Sequence, residues 1–280
     1  MTPDQYCQEK AIQSGSSFYY SFLYLPLERR RAITALYAFC REVDDVVDEC
    51  SDPLVARAKL AWWRVEIGAI FAGGDARPSH PVARALASVA KPFNLTAERL
   101  NAIIDGMEMD LDHSRYPDFD TLRRYCYHVA SVVGLCSADI FGYRNPQTLS
   151  YAENLGLAFQ LTNIVRDVGE DARRNRIYIP QDELARFGVT EDDILNARET
   201  PNFQRLVQFQ IERAEHYYDK AFSMLPGEDR KSQRPGIIMA AIYRTLLDEI
   251  KRDNCHVMQQ RVSLTPVRKL WIAWKTWMKG

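Results

Sequence analysis

The stretch Tyr37-Ala38-Phe39-Cys40-Arg41-Glu42-Val43-Asp44-Asp45-Val46-Val47-Asp48 decides the fold of this chain. Its apolar residues recur at helical spacing, and Tyr37, Arg41, Asp44 and Asp48 fall at i, i+4, i+7 and i+11, one polar stripe on one helix. A second stretch, Gln160-Leu161-Thr162-Asn163-Ile164-Val165-Arg166-Asp167-Val168-Gly169-Glu170-Asp171, repeats the pattern. There Gln160, Asn163, Asp167 and Asp171 fall at i, i+3, i+7 and i+11. Each stripe carries two carboxylates at i, i+4, side by side on a helix face.

An Asp-x-x-x-Asp pair on a helix is most often a solvated face, but the flanking residues argue otherwise here. Ile33, Leu36, Ala38, Phe39, Val43, Val46 and Val47 surround the first pair. Leu155, Leu157, Ala158, Phe159, Leu161, Ile164 and Val165 precede the second. A helix that is apolar nearly all round is buried, and a buried carboxylate needs a partner or a metal. Two such stripes suit several Mg²⁺ ions held between them, since this hard cation binds carboxylate oxygens and substrate phosphates together.

The expected ligands are Asp44, Asp48, Asp167 and Asp171, with Asn163 as a neutral oxygen ligand or a support behind them. Asp45 and Glu49 lie one position off the stripe and are either accessory ligands or solvated. The chemistry this pattern points to is ionisation of a diphosphate ester, a poor leaving group until its charge is neutralised. Arg41, Arg166 and Arg176 are placed to hold phosphate oxygens through their planar fork. Arg173 and Arg174 read equally well as phosphate contacts or as solvated loop charges. Asp105 and Asp110, at i, i+5 on another helix, lend the site weak support.

Composition removes several alternatives. A chain of 280 residues without a Gly/Ser-rich or Pro-rich linker reads as one domain with a large core. Its net charge of −1, with dispersed basic residues, gives no support to a nucleic-acid partner. The six cysteines form no C-x-x-C pair and several sit inside apolar helical runs, as free thiols in a reducing cytoplasm do. Residues Met1 to Lys10 lack an apolar core of the signal-peptide kind, and no run of 18 apolar residues predicts a membrane-spanning helix.

Strand-like alternation is nearly absent, and helical periodicity predicts an all-α chain. A short helix runs from Pro3 to a stop at Gly15, followed by a long one over about 27–50. The next runs from Asp52-Pro53 to Gly73-Gly74, with shorter ones over 80–90 and, capped by Thr96, over 97–112. Asp120 is expected to open a helix that reaches Phe141 and stops at Gly142. Further helices are expected over about 147–170, 202–224 and 235–254, with a loop and short helices over 172–200. Pro266 starts a final helix, a basic, Trp-rich tail over 266–280 attached to a domain of residues 1–265.

With these residues in hand, the chain is identified as a member of the squalene/phytoene synthase family. The two runs quoted above resemble that family's two aspartate-rich motifs, and Arg176-Ile177-Tyr178-Ile179-Pro180 resembles the segment after the second. Tyr125-Cys126-Tyr127-His128-Val129-Ala130-Ser131-Val132-Val133-Gly134 is similar to its central helix, and Ser16-Ser17-Phe18-Tyr19 to its N-terminal segment. The resemblance implies the isoprenoid-synthase fold, a single-domain helical bundle whose aspartate helices face each other across a central cavity. It implies prenyl diphosphate substrates and head-to-head condensation of two identical allylic diphosphates. Phe18, Phe22, Val129, Val133, Leu157 and Leu161 are then expected to line the prenyl chains, with Gln160 and Tyr178 among the other substrate-binding residues. Tyr37 and Tyr125 are expected near the reacting carbons, where with Arg41 they form the catalytic set.

Within the family, the N-terminal residues from Tyr6-Cys7 to Leu36-Tyr37 most resemble bacterial presqualene diphosphate synthases of hopanoid pathways. The expectation is therefore two farnesyl diphosphates condensed to presqualene diphosphate, without NADPH, the product passing to downstream pathway enzymes. The alternatives are phytoene synthesis from two geranylgeranyl diphosphates and squalene or dehydrosqualene synthesis. Asp44-Asp45-x-x-Asp48 also satisfies the D-D-x-x-D of chain-elongating prenyltransferases and terpene cyclases. Asn163-x-x-Arg166-Asp167-x-x-x-Asp171 fits neither. A non-enzymatic helical scaffold would release no diphosphate at all. In the tail, Leu270, Trp271, Trp274, Trp277 and Met278 share one broad face beside Arg268, Lys269, Lys275 and Lys279. That pattern suits either the interface of an anionic inner membrane or docking as an ordinary terminal helix.

Overall fold

Helix follows helix in a computed structural model of the protein, which describes residues 1–14, 17–22, 24–73 and 77–279, apart from the side chains of Ser17, Tyr19, Tyr20 and Lys279. The expected helix stop at Gly15, Ser16 and the side chain of Tyr19 in the N-terminal segment, and Gly74 lie outside the described residues. The helices are α1 (Pro3–Gln13), α2 (Ser17–Phe22), α3 (Leu27–Glu49), α4 (Pro53–Phe71), α5 (Pro81–Val89), α6 (Ala97–Asp112) and α7 (Phe119–Cys126). After a π-helical turn, Tyr127–Ser131, come α8 (Val132–Phe141), α9 (Gln147–Arg173), α10 (Gln181–Phe187), α11 (Glu191–Leu195), α12 (Pro201–Met224), α13 (Arg234–Arg252) and α14 (Pro266–Lys279). Among the described residues there is no strand, and the fold is an all-α helical bundle, as the periodicity predicts.

Local chemistry sets most of the boundaries. Thr2 and Gln5 form a reciprocal capping box on α1, and Asp52 and Thr96 cap α4 and α6. The helix expected to open at Asp120 begins at Phe119 instead, because Asp118 accepts the Thr121 N–H at 2.8 Å and takes the cap position. The single helix expected to reach Phe141 is interrupted by the π turn at 127–131. That turn lies where two backbones come together: a Cβ on Gly134 would overlap the Ala152 carbonyl, and one on Gly156 the Ala130 carbonyl. Glycine at both positions is what lets the π turn and α8 lie directly on α9. A widened turn of this kind often marks a functional site.

Two cores hold the bundle. One joins α3 to α4, α5, α6 and part of α8, with Leu36, Phe39, Leu60, Ile67 and Leu100 fully buried. The other joins α7, α9, α12 and α13, with Leu161, Phe203, Ile211, Tyr218 and Leu247 fully buried or nearly so. Arg115 and Ile177 form an isolated parallel bridge, and Ile177 N–H donates to Ser114 O at 3.0 Å. The segment after α9 is thus laid along the segment after α6, which brings three parts of the site together. The six cysteines are free thiols. No helix among the described residues is long and apolar enough to cross a membrane.

Candidate active site

Helix α3 presents Tyr37, Arg41, Asp44 and Asp48 along one face, as its periodicity predicts. Arg41 donates to Asp44 at 2.6 Å and to Asp45 on the next row. Lys10 of α1 also pairs with Asp45 at 2.8 Å and with Glu42 at 3.1 Å. Asp45 therefore ties α1 to α3, while Glu49 is exposed. Asp48 is gripped from across the site by Arg174 at 2.8 Å and Arg176 at 2.9 Å. Of the two uncertain arginines, Arg174 thus reaches the acidic stripe, and Arg173 turns away to the Met258 carbonyl.

The second stripe is built on α9. Asn163 donates to Gln160 at 3.3 Å, and its own carbonyl oxygen is buried without a hydrogen-bond partner. Asp167 receives Arg166 at 2.8 Å from its own helix and Arg261 at 2.8 Å from the segment before α14. Sequence spacing gave no sign of Arg261, which lies 94 residues away along the chain. What places it is Gly169: a Cβ there would overlap the Met258 backbone, so glycine lets the 258–261 segment lie on α9.

Asp110 of α6 joins the two stripes. Its carboxylate accepts the Tyr125 hydroxyl at 2.8 Å and the Tyr178 hydroxyl at 2.9 Å. The rings of Tyr125 and Tyr178 stack at 5.3 Å, and Tyr116 continues the stack at 5.7 Å from Tyr178. Asp110 belongs inside the site more firmly than its sequence signal suggested. Its supposed companion Asp105 does not: it is exposed and pairs with Arg64 at 2.7 Å. An i, i+5 spacing turns the second residue far round the helix, which is why the two part company.

Crowding of carboxylates shows in their affinities for protons. Burial pushes Asp171 up to about 8, with repulsion from Asp167 and Asp110 adding to it. Burial raises Asp110 to about 6 against the pull of the Tyr125 hydroxyl and Arg176. Burial also raises Asp44 to about 6, opposed by Arg41 and reinforced by Asp48. The Asp44 side chain keeps about a third of its surface open to solvent, which screens its charge. These are sites that gain by receiving positive charge.

Behind the polar mouth lies an apolar cavity of roughly 930 Å³, counting its opening. Phe18, Phe22 and Tyr37 form one wall, Val129 and Val133 of the central helix a second, and Phe159, Gln160 and Asn163 of α9 a third. Phe18 packs on Tyr37 at 5.6 Å and on Phe22 at 5.8 Å between ring centres. The Tyr37 hydroxyl donates to Ser14 at 2.8 Å. Three expectations change here. Leu157 and Leu161 do not line the cavity but are buried in the second core, because residues 151, 152, 155, 156, 159, 160 and 163 form the cavity face of α9. Tyr125 is likewise buried outside the cavity lining, in the tyrosine stack on Asp110.

The residues fit divalent cations in specific ways. Carboxylates on both stripes are held above their usual range, and the Asn163 oxygen is buried without a donor. Among the described residues no three acidic, histidine or cysteine side chains converge on one point. That agrees with Mg²⁺ chemistry, in which one or two carboxylates share each ion with substrate phosphates and water.

The comparisons with known proteins follow the same lines. The squalene/phytoene synthase family model matches residues 12–268, nearly the full chain. The chain belongs to the squalene/phytoene synthase family. It is 37% identical over 277 residues to a phytoene synthase of Arthrospira platensis, covering 94% of this chain and 89% of that one. Against the chloroplastic phytoene synthases of Narcissus pseudonarcissus and Arabidopsis thaliana, 36% and 35% identical, it spans 63% of their length. Among solved structures, a dehydrosqualene synthase in complex with ligand superposes with a TM-score of 0.87 at 27% identity, covering 99% of this chain and 96% of that one. A squalene synthase of Alicyclobacillus acidocaldarius superposes with a TM-score of 0.77 at 28% identity, covering 90% and 94%. Membership places the chain in a family of prenyltransferase-type enzymes.

Proposed function

We propose that the protein condenses two molecules of geranylgeranyl diphosphate head to head, forming phytoene with release of two diphosphates and two protons. The observation that carries the condensation is the pairing of two facing aspartate stripes with an apolar cavity that opens between them. The choice of the C20 chain rests on the relatives, since the curated proteins matched at 34–37% identity are phytoene synthases. This departs from the C15 expectation drawn from the N-terminal residues.

In this reading Asp44, Asp48, Asp167 and Asp171, with the Asn163 oxygen, hold Mg²⁺ ions, which neutralise the departing diphosphate when bound. Arg41, Arg166, Arg174, Arg176 and Arg261 exchange part of their grip on the aspartates for phosphate oxygens, binding in the planar two-point manner of guanidinium. The allylic cation left behind is kept from water by Phe18, Phe22, Val129, Val133 and Phe159, and the rings of Phe18, Tyr37 and Phe159 face it with negative charge density. The Tyr37 hydroxyl, at the polar end of the cavity, is placed to orient the diphosphate or to take up a proton. Asp110, through Tyr125 and Tyr178, fixes the wall between the stripes. No step calls for NADPH.

A second reading, condensation of two farnesyl diphosphates to presqualene diphosphate, is favoured by the squalene and dehydrosqualene synthases among the structural relatives. One assay separates them. The purified protein with Mg²⁺ is given geranylgeranyl or farnesyl diphosphate, each with and without NADPH, and the products are identified by mass. Phytoene from the C20 substrate supports the proposal. Turnover of the C15 substrate alone replaces it with the second reading, and no diphosphate release from either overturns both.

A further inference from the structure

Helix α14 is built with two apolar faces, and its packing uses one of them. Ile272 and Ala273 are buried against the bundle, and Arg268 pairs with Glu249 of α13 at 2.6 Å. On the other side Val267, Leu270, Trp271, Trp274, Trp277 and Met278 form a stripe at i, i+3, i+4, i+7, i+10 and i+11. Every one of them is exposed, Trp271 at 55% and Trp274 at 52%. A helix that merely closes a domain carries polar residues on its outer face. A contiguous apolar patch of this kind on a surface marks a contact.

The stripe leads to a basic cleft. Trp277 stacks on Tyr24 at 5.3 Å, and both form a wall of an open cleft that Arg29, Arg144, Lys231 and Arg234 line together with Glu228 and Asp229, the latter buried and already holding the Arg144 and Asn145 N–H groups and the Thr148 hydroxyl. Arg234 lies over the Trp277 ring, with its Nε atom buried and without a hydrogen-bond partner. Among the described residues none of these four side chains is engaged in an ion pair. Lys275 rests over the Trp271 ring at 4.6 Å, adding a cation beside the stripe. The cleft also touches the cavity described above, since Ser21 and Pro235 line both.

We propose that the outward stripe of α14 and the basic cleft beside it form one docking surface for an anionic phospholipid bilayer. The tryptophans enter the interfacial layer, where an amphipathic ring is stable, and the four basic side chains meet the headgroup phosphates. The charge selects a bilayer over another apolar protein face: four basic side chains outnumber the two carboxylates of the cleft, Glu228 and Asp229, and the positive excess around an aromatic rim complements a sheet of phosphates. The benefit to the enzyme rests on the proposed prenyl chemistry, because a water-insoluble product in a cavity that shares a wall with this cleft leaves toward lipid.

The test uses the intact protein and vesicles of phosphatidylglycerol mixed with phosphatidylcholine. Wild type is expected to sediment with them, with a blue shift in tryptophan emission, and to release them at high salt. The double substitution Trp271→Ser/Trp274→Ser should lower vesicle affinity at least tenfold without changing the melting temperature, both residues being exposed. Arg144→Gln/Lys231→Gln should lower it by about fivefold per charge on anionic vesicles and leave binding to pure phosphatidylcholine unchanged. Val65→Ser, an exposed apolar residue on α4 away from the cleft, should bind as wild type does. Wild type remaining in the supernatant, undiminished binding by the Trp double variant, or an equal loss in Val65→Ser would each overturn the proposal. A protein that binds vesicles yet releases no diphosphate from prenyl substrates keeps this surface and overturns the proposed function instead.

Discussion

Arg176 and Asp48 meet at 2.9 Å across the site, the first from the segment after α9 and the second from the end of α3. Together with the Arg174–Asp48 pair at 2.8 Å, this contact ties the end of the first acidic stripe to the segment that follows the second. Arg176 is held in place by the parallel bridge next to it in the chain, at Ile177. Its charge also steadies Asp110. Removing Arg176 therefore opens the site while leaving both cores packed. Arg176→Ala is expected to lower kcat/KM by about 10²–10³, through loss of the charge-assisted contact to diphosphate that the proposed function gives it. Arg176→Lys should recover only a small part, since one ammonium does not replace a planar fork. Diphosphate release measures both, and near-wild-type activity in Arg176→Ala would rule out the assignment.

Asp48→Ala and Asp171→Ala should each lose nearly all turnover and remain folded. Each aspartate would hold a cation on one stripe, and neither is needed for the packing of its helix. Removing a carboxylate from a crowded acidic cluster relieves repulsion, so the metal-free melting temperature of Asp171→Ala should equal or exceed that of wild type. More than a tenth of wild-type activity in either variant would disprove the metal assignment.

Stability without metal should fall as pH rises from about 5 to about 8. Asp171 is raised to about 8 and Asp110 and Asp44 to about 6, all above the value of about 4 that a carboxyl has in an unfolded chain. In that window the folded protein binds more protons than the unfolded one, so the slope of unfolding free energy with pH is negative. The stability these groups contribute is complete below pH ~4 and is lost as pH climbs through their folded values. Asp229 works the other way: despite burial, donors from Thr148, Asn145 and Arg144 hold it below the carboxylate range, and its contribution is already complete at pH 5. Melting curves in a chelator at several pH values provide the check, and Asp171→Asn should flatten the slope. A rising slope over pH 5–8 would show that the acidic groups are ionised and paired in the folded state.

Gly169→Ala should harm both folding and turnover. Its Cβ would collide with the Met258 backbone, so the 258–261 segment must lift and take Arg261 from Asp167. Overpacking of this kind costs about 1–3 kcal/mol. Chemical denaturation reads the cost, and the Michaelis constant for the prenyl diphosphate should rise with it. Gly68→Ala is the control, because open space surrounds that position, and it should be neutral or slightly stabilising.

The sequence by itself determined the class of fold, the order and near-boundaries of the helices, and the two acidic stripes. These are local properties: helical period, caps such as Asp52 and Thr96, and i, i+4 geometry act within a few residues. It also carried the family through its two aspartate-rich runs. Tertiary structure decided which face of α9 meets the cavity, turning Leu157 and Leu161 into the core while Phe159 and Gln160 line the opening. It brought Asp110 between the stripes and Arg261 onto Asp167, and it separated Tyr125 from the cavity into a tyrosine stack. It also divided α14 into a docked face and an exposed one. These outcomes depend on which elements lie opposite one another, and that is set by packing between segments far apart in the chain, where periodicity carries no information.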